Sequence, residues 1–158
     1  MSNCKITDLS PLANLTALKS LHAGNGGVKD LSVLNNFPKL ESLILWDNEV
    51  VDITPLSDLQ HLWELDLAGN QITDISPLST LPKLSDVTIH SNKIRDLTPL
   101  SGLTALFWLE LNGNQVCDLT GLSNLPKLET LKLSNNNQVV ETYVINANTG
   151  EFIEFTHK

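Results

Sequence analysis

Aromatic side chains are scarce in this chain, at 5% of residues against 41% hydrophobic overall. Its core must therefore be mainly aliphatic. Cysteine is scarcer, with Cys4 and Cys117 alone. Neither belongs to a CxxC pair, which excludes a disulfide scaffold and a cysteine metal site. Positive charge is also short: 10 Lys and Arg stand against 18 Asp and Glu, for a net charge of −8. That balance argues against nucleic acid and against an anionic membrane surface, both of which demand a basic face. It favours a protein partner with a basic patch. Apolar runs are short, and none approaches the ~18 residues of a membrane span. The N-terminal MSNCKITDLSPL has no positive start and no continuous apolar stretch, so it does not read as a secretory signal. This favours a cytoplasmic location, with the cell surface or secretion as the alternative for a trimmed fragment. The sequence holds no GxxxxGK[ST], HExxH or GxSxG. No enzymatic activity, cofactor or metal is expected.

What is there is a repeat. From Leu15, steps of 22 residues reach Phe37, Leu59, Leu81, Leu103 and Leu125. Position four gives Leu18, Leu40, Leu62, Leu84, Leu106 and Leu128. Position seven gives Leu21, Leu43, Leu65, Val87, Leu109 and Leu131, and position nine gives Ala23, Leu45, Leu67, Ile89, Leu111 and Leu133. Position twelve is Asn48, Asn70, Asn92, Asn114 and Asn136, with Gly26 the exception. Position sixteen is Asp8, Asp30, Asp52, Asp74, Asp96 and Asp118, often with Pro three residues on. No gap is needed, and a period of this kind marks a stacked solenoid.

With these columns in place the chain resembles the leucine-rich repeat proteins of the 22-residue SDS22-like class, which is also found in bacterial internalins. The resemblance implies an α/β right-handed solenoid. A parallel sheet lines the concave side, and short 3₁₀ pieces and turns form the convex side. The column chemistry agrees. Alternation at positions seven and nine is that of a strand with both Leu inward. The Asn amides can exchange hydrogen bonds with neighbouring turns as a ladder. Asp followed by Ser or Thr and Pro is turn and cap chemistry. A long helix is excluded by the Pro and turn residues in every segment.

Two domains are expected: residues 1–137 as the solenoid, with a partial first repeat and six full ones, and residues 138–158 as a C-terminal β-hairpin cap. Tyr143 to Ile145 and Phe152 to Phe155 flank the loop sequence NANTG. Val139, Val140, Tyr143, Ile145, Phe152 and Phe155 would supply apolar surface to close the stack. The alternative is the start of a further domain. At the other end the chain opens midway through a repeat. An excised fragment or a short natural chain is favoured there over a packed partner.

With positions seven and nine inward, positions six, eight and ten face the concave surface. They carry the candidate protein-binding set: Ile44, Trp46, Glu64, Asp66, Asp86, His90, Trp108 and Glu110. Glu64 and Asp86 should be neighbours on adjacent strands, where like charges destabilise. Trp is enriched among interface hot spots. Trp46 and Trp108 lie on the order of 20 Å apart, too far for one small pocket. Trp63 and Phe107 fall at position five, where the register does not decide their exposure. The concave carboxylates could offer oxygen ligands to Ca²⁺, but a flat sheet lacks the loop carbonyls that complete such a site.

The expected function is non-enzymatic recognition of a protein by a monomer. The alternative is a structural spacer or scaffold part of a larger chain. The resemblance implies partners of several kinds: host receptors for internalin-like proteins, a protein phosphatase for SDS22-like ones.

Overall fold

The computed structural model describes residues 5–136, together with the backbone of two later strands, Thr142–Ile145 and Phe152–Phe155. Six three-residue strands form one parallel sheet in chain order: β1 (Ser20–His22), β2 (Ser42–Ile44), β3 (Glu64–Asp66), β4 (Asp86–Thr88), β5 (Trp108–Glu110) and β6 (Thr130–Lys132). Each residue pairs with the one 22 further on, as in Leu21 with Leu43 and Leu65 with Val87. Sequence period and strand register are therefore the same quantity, and every column of the sequence becomes a line of stacked side chains.

The chain returns along the convex side through 3₁₀ turns at Ser10–Leu12, Ser32–Asn36, Thr54–Leu56, Ser76–Thr80, Thr98–Leu100 and Thr120–Leu122. No α-helix occurs among the described residues. Each turn is opened by the Asp at position sixteen. Its Oδ1 accepts the backbone N–H two residues on, at 2.8 Å for Asp8, Asp30, Asp52, Asp74 and Asp96 and 2.9 Å for Asp118. Pro11, Pro55, Pro77 and Pro99 then sit early in the 3₁₀ turn, where a missing N–H costs nothing.

The core is a continuous aliphatic column. Leu43, Leu45, Leu62, Leu65, Leu67, Leu84, Val87, Ile89, Leu109 and Leu111 are all buried. Interior Leu of this kind contributes roughly 1.5–3 kcal/mol each through burial. At the N-terminal end of the described stack the same columns open. Ile6 and Leu15 are 52% and 50% exposed, although their counterparts in the next repeats, Val28 and Phe37, are fully buried.

Between strand and convex turn runs the asparagine ladder. Asn92 is representative. Its Nδ2 donates to the carbonyls of Leu67 (2.9 Å), Ile89 (3.1 Å) and His90 (3.2 Å), and its Oδ1 accepts from Ile72 N–H at 2.9 Å. Asn48, Asn70, Asn114 and Asn136 repeat this pattern across their own repeat boundaries. All five are buried. Among the described residues no buried side-chain polar atom is left without a partner. Gly26 breaks the column for a steric reason: a Cβ there would come within 2.5 Å of the Ile6 carbonyl oxygen and 2.7 Å of Asn48 Oδ1.

One column was not anticipated. Position eleven holds Asn25, Asp47, Gly69, Ser91, Gly113 and Asn135, and all six have positive φ, from 50° to 65°. The strand leaves the sheet through a left-handed residue in each repeat. Small polar residues and glycine tolerate that conformation best.

Beyond residue 136, β7 (Thr142–Ile145) and β8 (Phe152–Phe155) pair antiparallel, and β7 lies against β6. The expected domain boundary at 137–138, the apolar pair Val139 and Val140 and the NANTG loop lie outside the described residues, as does Cys4.

Candidate functional site

The concave face is built from positions six and eight, which are the outer residues of each three-residue strand, and from position ten just beyond. Comparing the six copies of each position separates what the fold needs from what is particular to one repeat. Position six accepts Ser20, Ser42, Glu64, Asp86, Trp108 and Thr130. The fold therefore demands neither an aromatic nor an acid there.

At the N-terminal end of the face, Trp46 is 40% exposed. Its indole lies over Gly24 of the preceding repeat: a Cβ at Gly24 would meet Trp46 Cε2 at 2.5 Å and Nε1 at 2.6 Å. The missing side chain of Gly24 is what seats the ring. Ile44 is half-buried between His22 and Asp66, its partners across the strands. A hydrogen-bonded line runs from this region toward the acids. Ser42 Oγ donates to Glu64 Oε2 at 2.6 Å, and His22 Nε2 lies 3.4 Å from Ser42 Oγ and 3.0 Å from Ser20 Oγ.

The centre of the face is acidic. Glu64 and Asp86 are direct Cα partners on β3 and β4, and Asp66 stands on the same strand as Glu64. Among the described residues no Lys, Arg or His lies within 4.0 Å of any of these three carboxylates. Desolvation, and then the charges of Glu64 and Asp66, push the Asp86 carboxyl above its ordinary range. The Asp66 carboxyl is also pushed up, mainly by desolvation. The Ala68 N–H, which donates to its Oδ1 at 3.0 Å, and the charge of His90 pull the other way. His90 is half-buried, and its Nδ1 lies 3.1 Å from Ser91 Oγ.

At the C-terminal end the picture differs. Trp108 is half-buried, with the Lys132 ammonium 4.7 Å from its ring centroid. Lys132 Nζ also meets Glu110 Oε2 at 2.9 Å, and Asn112 Nδ2 donates to Glu110 Oε1 at 3.1 Å. Trp108 and Glu110 are thus already engaged by neighbours. Such a cation–π contact contributes about 0.5–1 kcal/mol at a partly exposed site. The sequence reading placed Trp108 outward but missed Lys132. The signal was available, since position eight of the next repeat is the diagonal neighbour of position six.

The structure brings together Glu64, Asp66 and Asp86, with Ile44 and Trp46 to one side and the Trp108, Glu110 and Lys132 cluster to the other. Trp63 and Phe107, undecided by register, are 44% and 46% exposed. Cys117 is a free, exposed thiol on the convex side. Among the described residues no group of three or more His, Cys, Asp or Glu is disposed to hold a metal, and no helix is long and apolar enough to cross a membrane.

Comparison with known proteins places this geometry. A family model described as Leucine Rich repeats (2 copies) matches residues 60–102. An internalin (inlF) from Listeria monocytogenes is 33% identical at a TM-score of 0.71, covering 84% of this chain and 46% of its own. An internalin C2 (inlC2) from the same organism is 30% identical at a TM-score of 0.67, covering 82% of this chain and 67% of its own. The plant peptide hormone receptor RGFR1, in complex with RGF2, is 25% identical at a TM-score of 0.66, covering 78% of this chain and 21% of its own. No curated protein sequence gives a significant match. The chain thus spans about half of the first internalin and two thirds of the second. With its 22-residue period, single parallel sheet and asparagine ladder, the chain belongs to the leucine-rich repeat family and is internalin-like.

Proposed function

We propose that this chain is a non-enzymatic recognition module whose concave face binds a protein presenting a basic patch. The observation that carries this reading is the Glu64–Asp86 pair. Two carboxylates occupy partnered positions on adjacent strands, and among the described residues no Lys, Arg or His pairs with them within 4.0 Å. Like charges so placed cost stability, and the same position is Ser, Thr or Trp in other repeats. A Lys or Arg from a partner turns that cost into binding free energy. Trp46, exposed and seated on Gly24, is the apolar anchor beside the acids. The solenoid offers a preformed surface, so little ordering entropy is lost on binding. That a similar structure is a peptide hormone receptor in complex with RGF2 supports recognition as a use of this fold.

Charge reversal tests the reading. Asp86→Lys places a cation in the acidic strip without touching the core. Partners recovered with the wild-type chain from its native host should be lost with the variant and should be released from the wild type by raised salt. Recovery of the same partners in the same amounts with Asp86→Lys would favour the spacer reading, in which the concave residues do not matter.

A further inference from the structure

The aromatic pair at the rim is not used by the concave site. Trp63 and Phe107 occupy position five, immediately before β3 and β5. Ser85 lies between them, its N–H donating to the Trp63 carbonyl at 3.0 Å and its carbonyl accepting from Phe107 N–H at 2.8 Å. The other copies of this position are Lys19, Glu41 and Glu129. Four of six repeats therefore place a polar side chain here, and the fold has no need of an aromatic. Leaving two large aromatics exposed on alternate turns, one repeat between them, is unfavourable unless something covers them. Their backbones are two strand spacings apart, about 10 Å, with only a Ser hydroxymethyl between. One apolar side chain fits such an interval.

The charge beside this ridge is opposite in sign to that of the concave floor. Position three, two residues before position five, reads Ala17, Lys39, His61, Lys83, Ala105 and Lys127. The His and the three Lys are exposed. Lys83 Nζ lies 3.0 Å from His61 Nδ1, and neither Lys39 nor Lys83 has a carboxylate within 4.0 Å among the described residues. Glu41, the nearby acid, is held by Lys19 at 2.7 Å and feels the charges of His61 and Lys83 more weakly. The ridge thus divides an acidic floor at Glu64 and Asp86 from a cationic flank at Lys83. A basic partner drawn to the floor is repelled at the flank. A different ligand chemistry belongs there.

We infer that Trp63, Ser85 and Phe107, with Lys83 behind them, form a second docking surface for a protein segment that presents an apolar side chain next to a carboxylate. The apolar group enters the interval over Ser85, and the carboxylate meets the Lys83 ammonium.

A random peptide library panned against the whole chain tests this. The counter-selection uses Trp63→Ser with Phe107→Ser, which install the residue that position five already holds at Ser85. Circular dichroism checks that the variant folds. The expected result is a set of peptides with an apolar residue beside Asp or Glu. Their affinity falls at least about tenfold in the double variant, as for removal of a hot-spot aromatic, falls again with Lys83→Glu, and is unchanged by Trp46→Ala. Selection of no peptide that depends on Trp63 and Phe107 would overturn the inference. So would dependent peptides rich in Lys or Arg, or affinity unaltered by Lys83→Glu. Peptides that respond only to Trp46 and Asp86 would leave the concave reading standing and remove this one.

Discussion

The indole of Trp46 rests on the backbone of Gly24, so closely that a methyl group on Gly24 would fall 2.5 Å from Cε2. The proposed anchor is therefore seated by a glycine one repeat away. Gly24→Ala should unseat the ring without disturbing the core. Stability should change by less than about 1 kcal/mol, since Gly→Ala also lowers the entropy of the unfolded chain. In a ¹⁵N NMR spectrum the Trp46 indole signal should move while those of Trp63 and Trp108 stay in place. An unmoved Trp46 signal would show that Gly24 is not its seat.

The asparagine ladder predicts a large cost for a small deletion. Asn92→Ala leaves the buried Ile72 N–H without its acceptor, while the Leu67 and Ile89 carbonyls keep the amides of Asn70 and Asn114. One orphaned buried donor costs about 1–3 kcal/mol, and a loss of that size is expected by urea denaturation. A loss below about 1 kcal/mol would mean that neighbouring turns or water replace this bond.

The left-handed column predicts a gain. Ser91 has φ 55° where Gly69 and Gly113, its counterparts one repeat away on either side, have φ 65°. Relief of the left-handed strain is worth roughly 1 kcal/mol. The Oγ contact to His90 lost in the change is exposed. Ser91→Gly should raise the thermal midpoint, and a lower midpoint would argue that the Ser side chain contributes more than its backbone strain costs.

The acidic strip predicts a pH dependence of known sign. Asp66 and Asp86 have raised pKa values in the fold. They bind protons more tightly folded than unfolded, so their contribution to stability is present at low pH and is lost as pH rises through their raised range. Asp8, Asp52 and Asp96, lowered by hydrogen bonds from the residues they cap, act oppositely and lose their contribution as pH falls. Asp86→Asn isolates the first effect. Near pH 7 the variant should be more stable than the wild type by about 0.5 kcal/mol, the scale of a like-charge cross-strand pair. The difference should vanish well below the ordinary carboxylate range. A variant that is less stable at neutral pH would contradict the reading of Asp86 as an uncompensated charge.

The architecture was legible because period and register coincide. Once Leu21, Leu43 and Leu65 fall 22 apart, their pairing and inward direction follow, and so does the outward direction of Glu64 and Asp86. The Asp-capped turns were equally readable, since side chain and backbone partner are two residues apart. Less legible was whatever depends on the length and reach of side chains between repeats. Lys132 folding over Trp108, and Trp46 settling into the space left by Gly24, are diagonal or lateral contacts that no column shows on its own. Trp63 and Phe107 stand at the edge where alternation begins, so period-two reasoning has no preceding residue to fix their side. The left-handed column is legible in its composition, Asn, Asp, Gly, Ser, Gly, Asn, since these are the residues that tolerate positive φ best.

The central claim is that the concave face binds through Trp46 and the uncompensated acids. The most direct measurement is a calorimetric titration of the recovered partner into wild type and Trp46→Ala, each at low and at raised salt. The account predicts at least about a tenfold weaker Kd for Trp46→Ala and weakening of both proteins by salt. A Kd unchanged by the substitution and insensitive to salt would contradict it.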